Sequence, residues 1–143
     1  MNCMAAVALI IDKNSFLLIK RAEQPGDPWS GQMALPGGHK EINEDCEATA
    51  KRETMEEVGL KIENLKPLGI YKTNLEKLSV AAFSATSTAT DVEIDCEVSA
   101  YFWVNFDELI EEGLTYRYKN YVIWGLTFRI LKTYIENNQI DIL

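Results

Sequence analysis

The chain has 143 residues, 47% hydrophobic and 25% charged, which fits a single domain over 1–143 with a sizeable core and excludes a disordered or fibrous chain. Fourteen lysines and arginines stand against 22 aspartates and glutamates, a net charge of −8, which argues against a basic grip on a nucleic-acid duplex. A phosphorylated ligand remains compatible with that balance if a divalent cation supplies the positive charge.

The longest apolar run, Cys3 to Ile11, is nine residues, and a bilayer span needs about 20. No lysine or arginine precedes it, so it makes a poor secretory signal and a cytoplasmic location without membrane contact is expected. "AAVALII" and "SFLLIKR" read as two strands joined by a tight turn at Asp12–Asn14. Glu23 to Gly31, with Pro25, Gly26, Asp27 and Pro28, reads as a loop, and "QMALP" as a short strand stopped by Pro36, Gly37 and Gly38.

From Glu44 to Val58 there is no glycine or proline. Asn43 suits the N-cap, Glu44 and Asp45 suit the first turn, and Gly59 sits where a terminating glycine belongs, so this is a helix. Strands are expected at Leu65–Thr73, Leu78–Ser84 and Val98–Val104, with "SATSTATD" as a strand end and loop. A short helix follows, with Asn105 and Glu108 at N-cap and N3 spacing and Gly113 after it. The last helix is placed at about Asn120 to Glu136, with Val122, Leu126, Ile130 and Tyr134 on one stripe. This order of elements implies an α/β sandwich with a mixed sheet.

Cys3, Cys46 and Cys96 are widely spaced and form no CxxC pair, which points to a reducing interior without a disulfide framework or zinc knuckle. His39 is the only histidine, which removes two-histidine metal sites. Within the first helix Glu53, Glu56 and Glu57 lie at i, i+3 and i+4 and project from one face. Like charges at this spacing cost roughly 0.2 to 0.5 kcal/mol each, and Arg52 can relieve Glu56 but not the whole cluster. A hard divalent cation would neutralise it; a solvated acidic face is the plain alternative.

From Gly38 to Leu60 the chain fits G-x5-E-x7-R-E-U-x-E-E-x-G-U, where U is a bulky aliphatic: Gly38, Glu44, Arg52, Glu53, Glu56, Glu57, Gly59 and Leu60 hold the fixed positions. The sequence resembles the Nudix hydrolases, with Thr54 departing at the first aliphatic position. The resemblance implies a Nudix-type α/β/α sandwich and magnesium, or manganese, held against a diphosphate. It implies Glu53, Glu56 and Glu57 as metal ligands or base, Arg52 as the residue orienting them, and a Gly38 carbonyl on the metal. Gly37 and Gly38 let the backbone turn sharply beside the substrate. Glu41 and Glu44 are weaker candidates. Glu97 suits a base or late ligand, in competition with Asp95 and Glu93. His39 reads as a loop residue and Lys40 as a solvated lysine.

"LLIKRAEQPGDPWSGQMALPGG", Leu17 to Gly38, is similar to the upstream signature of coenzyme A diphosphatases; Lys20, Arg21, Gly31, Pro36, Gly37 and Gly38 match, while Leu35 replaces an aromatic. The second arginine and the histidine expected in that loop are absent. "IWGLTFRIL", Ile123 to Leu131, resembles a helix of the same subfamily. Arg21 has the geometry for planar contact with phosphate oxygens, or is a strand-end arginine in solvent. Trp29 could stack on adenine or fold onto the core, Trp103 and Trp124 read as packing, and Tyr116, Tyr118 and Tyr121 with Arg117 and Lys119 either cover a nucleotide or pack on the last helix. The reading is therefore hydrolysis of a diphosphate bond in a nucleoside diphosphate linked to another moiety, coenzyme A first. ADP-ribose, a dinucleoside polyphosphate or a nucleoside triphosphate come next, and a non-hydrolytic nucleotide-binding module is the other class. A homodimer is also entertained.

Overall fold

The computed structural model describes residues 1–27, 30–73 and 77–142. Strand β1 (Ala5–Asp12) and β2 (Ser15–Arg21) form the expected hairpin, pairing Ile11 with Phe16 and Asp12 with Ser15. Lys13 takes φ 56 at the turn. A short β3 (Met33–Ala34) lies along β2.

Gly37–His39 corrects the sequence reading: the chain continues as a strand, β4, antiparallel to β1 with Ala6 opposite Gly38. The glycines have a packing reason. A side chain at Gly37 would collide with Ala6 O and Val7. Helix α1 (Cys46–Val58) follows, then β5 (Ile62–Lys72), β6 (Ser79–Ser87) and β7 (Val98–Asn105). β6 runs parallel to β1, with Ala5 beside Val80, and β7 pairs antiparallel with β2; the sheet is therefore mixed, as expected.

Asn105 and Glu108 make the expected capping box, on a single 3₁₀ turn at Phe106–Glu108. A three-stranded meander then intervenes: β8 (Ile110–Glu112), β9 (Thr115–Tyr118) and β10 (Tyr121–Ile123). The last helix expected from about Asn120 overlaps the third of these strands, β10. Helix α2 begins only at Gly125 and runs to Asn137, so Val122 leaves the expected stripe and is exposed.

Side-chain alternation on β1 sorts the core into two layers. Ala6, Ala8 and Ile10 pack under α1 with Ala50 and Val58; Leu9 packs under α2 with Phe128, Ile130 and Leu131. The cysteine expectation is also corrected: Cys3 and Cys46 are joined as a disulfide, tying the segment before β1 to the first residue of α1. Both are buried, and their Cα atoms lie 6.1 Å apart, within bridging range. Cys96 is free and exposed. No helix among the described residues is long and apolar enough to cross a membrane.

Candidate active site

The acidic helix starts two residues later than its sequence suggested. Asp45, not Asn43, is the N-cap, and its side chain accepts from Ala48 N at 2.7 Å. Glu44 therefore lies outside the helix and turns toward Arg52. At the other end Gly59, φ 70, donates its N–H to Met55 O and stops the helix as expected.

Arg52 gathers the acidic residues around it. Nε donates to Glu44 Oε2 at 2.7 Å, Nη1 to Glu53 Oε1 at 2.9 Å and to both Glu56 oxygens at 3.3 Å, and Nη2 to His39 O at 2.9 Å. Glu41 adds an ion pair at 3.6 Å. The hydrogen bond from Arg52, with a second from Thr49, holds the Glu44 carboxyl down at about 2, and the same carboxylates raise Arg52. Glu41 and Glu44 thus anchor the guanidinium, which spans from α1 to β4.

Glu57 is in a different situation. It sits on the packed face of α1 and is 2% exposed, with Gly37 donating its N–H to Oε1 at 3.1 Å. Burial pushes its carboxyl up to about 8; the charges of Glu53 and Glu97 add to the rise, while the Gly37 N–H and Arg21 oppose it. Gly38 has no room for a side chain, since a Cβ there would stand 2.5 Å from Glu53 Cδ. The bare glycine edge of β4 is what lets these carboxylates lie against backbone.

A cavity of about 370 Å³ opens at this edge, lined by Glu53, Glu56, Glu57, Gly37 and Gly38 together with Arg21, Asp95 and Glu97. Of the three downstream carboxylates considered from sequence, Asp95 and Glu97 face the cavity. Glu93 packs beside Gly59 instead. Asp95 Oδ1 already accepts from Glu97 N at 2.9 Å. Arg21, at the end of β2, comes within 4.0 Å of Asp27, and its buried Nε has no hydrogen-bond partner among the described residues. His39 also lines the cavity; Lys40 does not. Trp29 lies outside the described residues.

The remaining aromatic candidates do not reach this cavity. Tyr116 and Tyr118 are buried in the core around α2, and Arg117 pairs with Glu112 at 3.0 Å, so that segment packs against the fold. Trp103 donates Nε1–H to Thr90 O and packs on the core, as expected, whereas Trp124 is 44% exposed at the start of α2, against its reading as a packed residue. Sequence reasoning missed one wall entirely: Leu126, Thr127 and Ile130 of α2 line the cavity. Apolar helical periodicity marks such residues as core, and nothing local distinguishes a wall from a core.

The donor chemistry fits a hard divalent cation. Apart from the exposed His39 imidazole, the donors along the edge are oxygens, and a buried acidic group beside two other carboxylates is what an added positive charge would satisfy. Among the described residues no three acidic, histidine or cysteine side chains are gathered as a finished metal site. Arg52 instead holds Glu53 and Glu56, and Glu56, half exposed, has room to turn.

The family profile described as NUDIX domain matches residues 1–124. The MutT-like protein of Streptomyces ambofaciens is 27% identical over 106 residues, 74% of this chain and 65% of that protein. An ADP-ribose pyrophosphatase of Methanocaldococcus jannaschii is 45% identical over 71 residues, 48% of this chain and 39% of that protein. The chain thus spans less than two thirds of the length of these curated relatives. In fold it is similar to a NUDIX hydrolase from Nitrosomonas europaea, with TM-score 0.76 and 23% identity over 97% of this chain and 73% of that one. With the Gly38–Leu60 pattern folded as a strand edge and a capped acidic helix, the chain belongs to the NUDIX family.

Proposed function

We propose that this chain, acting as a single domain, hydrolyses a diphosphate bond in a nucleoside diphosphate linked to another moiety, with magnesium or manganese as cofactor. One observation carries the reading: Glu53, Glu56 and Glu57 line a cavity along the bare Gly37–Gly38 edge, and Arg21 stands on the same cavity. The ligands of the cation would be Glu53, Glu56, Glu57 and the Gly38 carbonyl, with Glu97 as a late ligand or base. When bound, the cation neutralises the phosphates, orients them and lowers the pKa of the attacking water.

The protein's own contributions follow from the geometry. Arg52 holds Glu53 and Glu56 and fastens them to β4 through His39 O. The Gly37 N–H fixes one oxygen of Glu57. Arg21 supplies a guanidinium for the phosphate oxygens. The water oxygen bonds to one phosphorus, the bridging P–O bond breaks, and a carboxylate takes the water's proton, leaving two phosphate monoesters.

Coenzyme A is the first substrate on the strength of Leu17–Gly38; its products would be phosphopantetheine and adenosine 3′,5′-bisphosphate. ADP-ribose is the second reading, favoured by the relative named as an ADP-ribose pyrophosphatase. The test is a panel of coenzyme A, ADP-ribose, diadenosine polyphosphates and nucleoside triphosphates, with magnesium or manganese and with excess EDTA. Metal-dependent release of monophosphate products is expected. Full turnover in EDTA, or none of these substrates cleaved with metal, overturns the reading and favours a nucleotide-binding module. Replacing Arg21 by alanine lowers kcat/KM by one to two orders of magnitude, corresponding to about 1 to 3 kcal/mol for a charge-assisted hydrogen bond. A homodimer belongs to the same proposal, checked by light scattering; the cytoplasmic location rests on the N-terminal sequence alone, since the Cys3–Cys46 disulfide is of the kind that persists in oxidising compartments, and fractionation decides between them.

A further inference from the structure

The cavity changes chemistry from one side to the other. Strands β4, β1 and β6 are neighbours in that order, so Val80 on β6 stands two strands, roughly 10 Å, from the glycine edge. There the floor is Ala5, Val7 and Val80, and the wall is Leu126 and Ile130, with Leu78 at its side. Ala5 and Val80 are direct partners in the parallel pair, so they share one face of the sheet.

α2 is fixed over this floor from two sides. Thr127 donates Oγ1–H to Met33 O at 3.3 Å, and Arg129 donates from Nη1 to Lys72 O at 2.7 Å. Two hydroxyls on this side are engaged, Thr127 as stated and Thr73 Oγ1 by the Leu78 N–H, while the amides that line the cavity are those of Gln24 and Gln32. No phenylalanine, tyrosine or tryptophan lines the cavity among the described residues. A nucleobase laid on this floor and wall would bring ring-edge donors and acceptors that Ala5, Val7, Val80, Leu126 and Ile130 do not match. A chain of methylenes asks only for apolar area.

We infer that this chamber takes an aliphatic chain, so that the moiety esterified to the nucleoside diphosphate is an aliphatic alcohol rather than a second sugar or base. The small floor residues leave the room, and Leu126, Ile130 and Val80 set the specificity. The inference rests on the diphosphatase reading above and narrows its substrate class; an amide-bearing arm of methylenes satisfies it and a ribosyl group does not.

The test uses monoalkyl esters of ADP from methyl to hexyl, assayed with magnesium for release of AMP and alkyl phosphate. kcat/KM is expected to rise about fourfold per methylene until the chamber is filled. Leu126→Asn, checked for folding by thermal midpoint, should flatten that rise. The affinity of monoalkyl esters of methylenediphosphonate, measured by calorimetry with magnesium present, reads the same chain-length dependence without turnover. Equal affinity and equal kcat/KM for methyl and hexyl compounds overturn the chamber while leaving the hydrolase standing, as does a kcat/KM for ADP-ribose above that of the hexyl ester. Affinity that rises with chain length while no ester is cleaved supports the chamber and overturns the hydrolase.

Discussion

Both helices have 13 residues and each covers one layer of the core, yet they are held in place by different means. α2 is an ordinary amphipathic helix: Phe128, Ile130, Leu131 and Ile135 are buried, and Trp124 at its N-cap makes no side-chain cap. α1 buries Thr54 and Glu57 within its packed face and relies on Asp45, Gly59 and the Cys3–Cys46 bridge to define its ends. One helix gets its stability from apolar area. The other gives up part of that area to carry carboxylates, and end-fastening offsets the loss.

That contrast can be broken most severely on the α2 side. Leu131 is fully buried, so Leu131→Ala should lower unfolding free energy by about 2 to 5 kcal/mol, read by denaturant titration. On the α1 side, Cys3→Ser, or reduction of the wild type by a dithiol, releases a cross-link spanning 43 residues. A loss of roughly 2 to 4 kcal/mol is expected, seen as a lower thermal midpoint, with reductant no longer affecting the variant. An equal midpoint with and without reductant would show that α1 does not depend on the bridge.

The carboxylates should trade activity, not stability. Glu56→Gln and Glu57→Gln each lower kcat by on the order of 10²-fold or more; folding is unchanged or slightly improved at Glu57, where a buried carboxyl gives way to a neutral amide, and changes little at Glu56, which loses an exposed ion pair with Arg52. Near wild-type turnover in both variants would place the chemistry elsewhere. Thr54 sharpens the point: it occupies the aliphatic position of the pattern, and its buried Oγ1 has no partner among the described residues. Thr54→Val keeps the shape and should gain about 1 kcal/mol in denaturant titration.

The smallest effect concerns the core under α2. Tyr116 is buried with Oη unpartnered among the described residues, and burial, then the charges of Glu111 and Glu136, push its phenol up to about 12. Because the folded protein favours the neutral phenol, the unfolded chain ionises first. The Tyr116 contribution is complete below about pH 10 and is lost as pH climbs toward 12. Tyr116→Phe should flatten that alkaline decline and change neutral stability by less than about 1 kcal/mol. An unchanged alkaline slope would assign the decline to other groups.

The amino-acid order alone determined what depends on neighbours in the chain. The β1–β2 hairpin, the glycine end of α1, the 3₁₀ capping box and the i, i+3, i+4 glutamates all follow from turn chemistry, caps and helical period. The Gly38–Leu60 pattern identified the family before any contact was known. Cap placement marks where local reasoning stops, because Asn43 and Asp45 offer similar side chains, and the fold separates them: Asn43 takes φ 67, while Glu44 turns to Arg52 and Thr49 and leaves Asp45 extended as the cap.

The tertiary structure decided what depends on approach from elsewhere in the fold. Gly37 and Gly38 are a strand because β1 lies beside them, and Cys3 meets Cys46 because β1 and α1 start at the same end of the sandwich. Residues 121–123 became β10 because Tyr118 and Arg117 were available for pairing, which helical periodicity cannot sense. Glu97 and Asp95 face the cavity while Glu93 does not, since a loop's direction is set by what it packs on. The aliphatic wall of Leu126 and Ile130 is invisible in sequence for the same reason: burial against protein and burial around a ligand select the same apolar side chains.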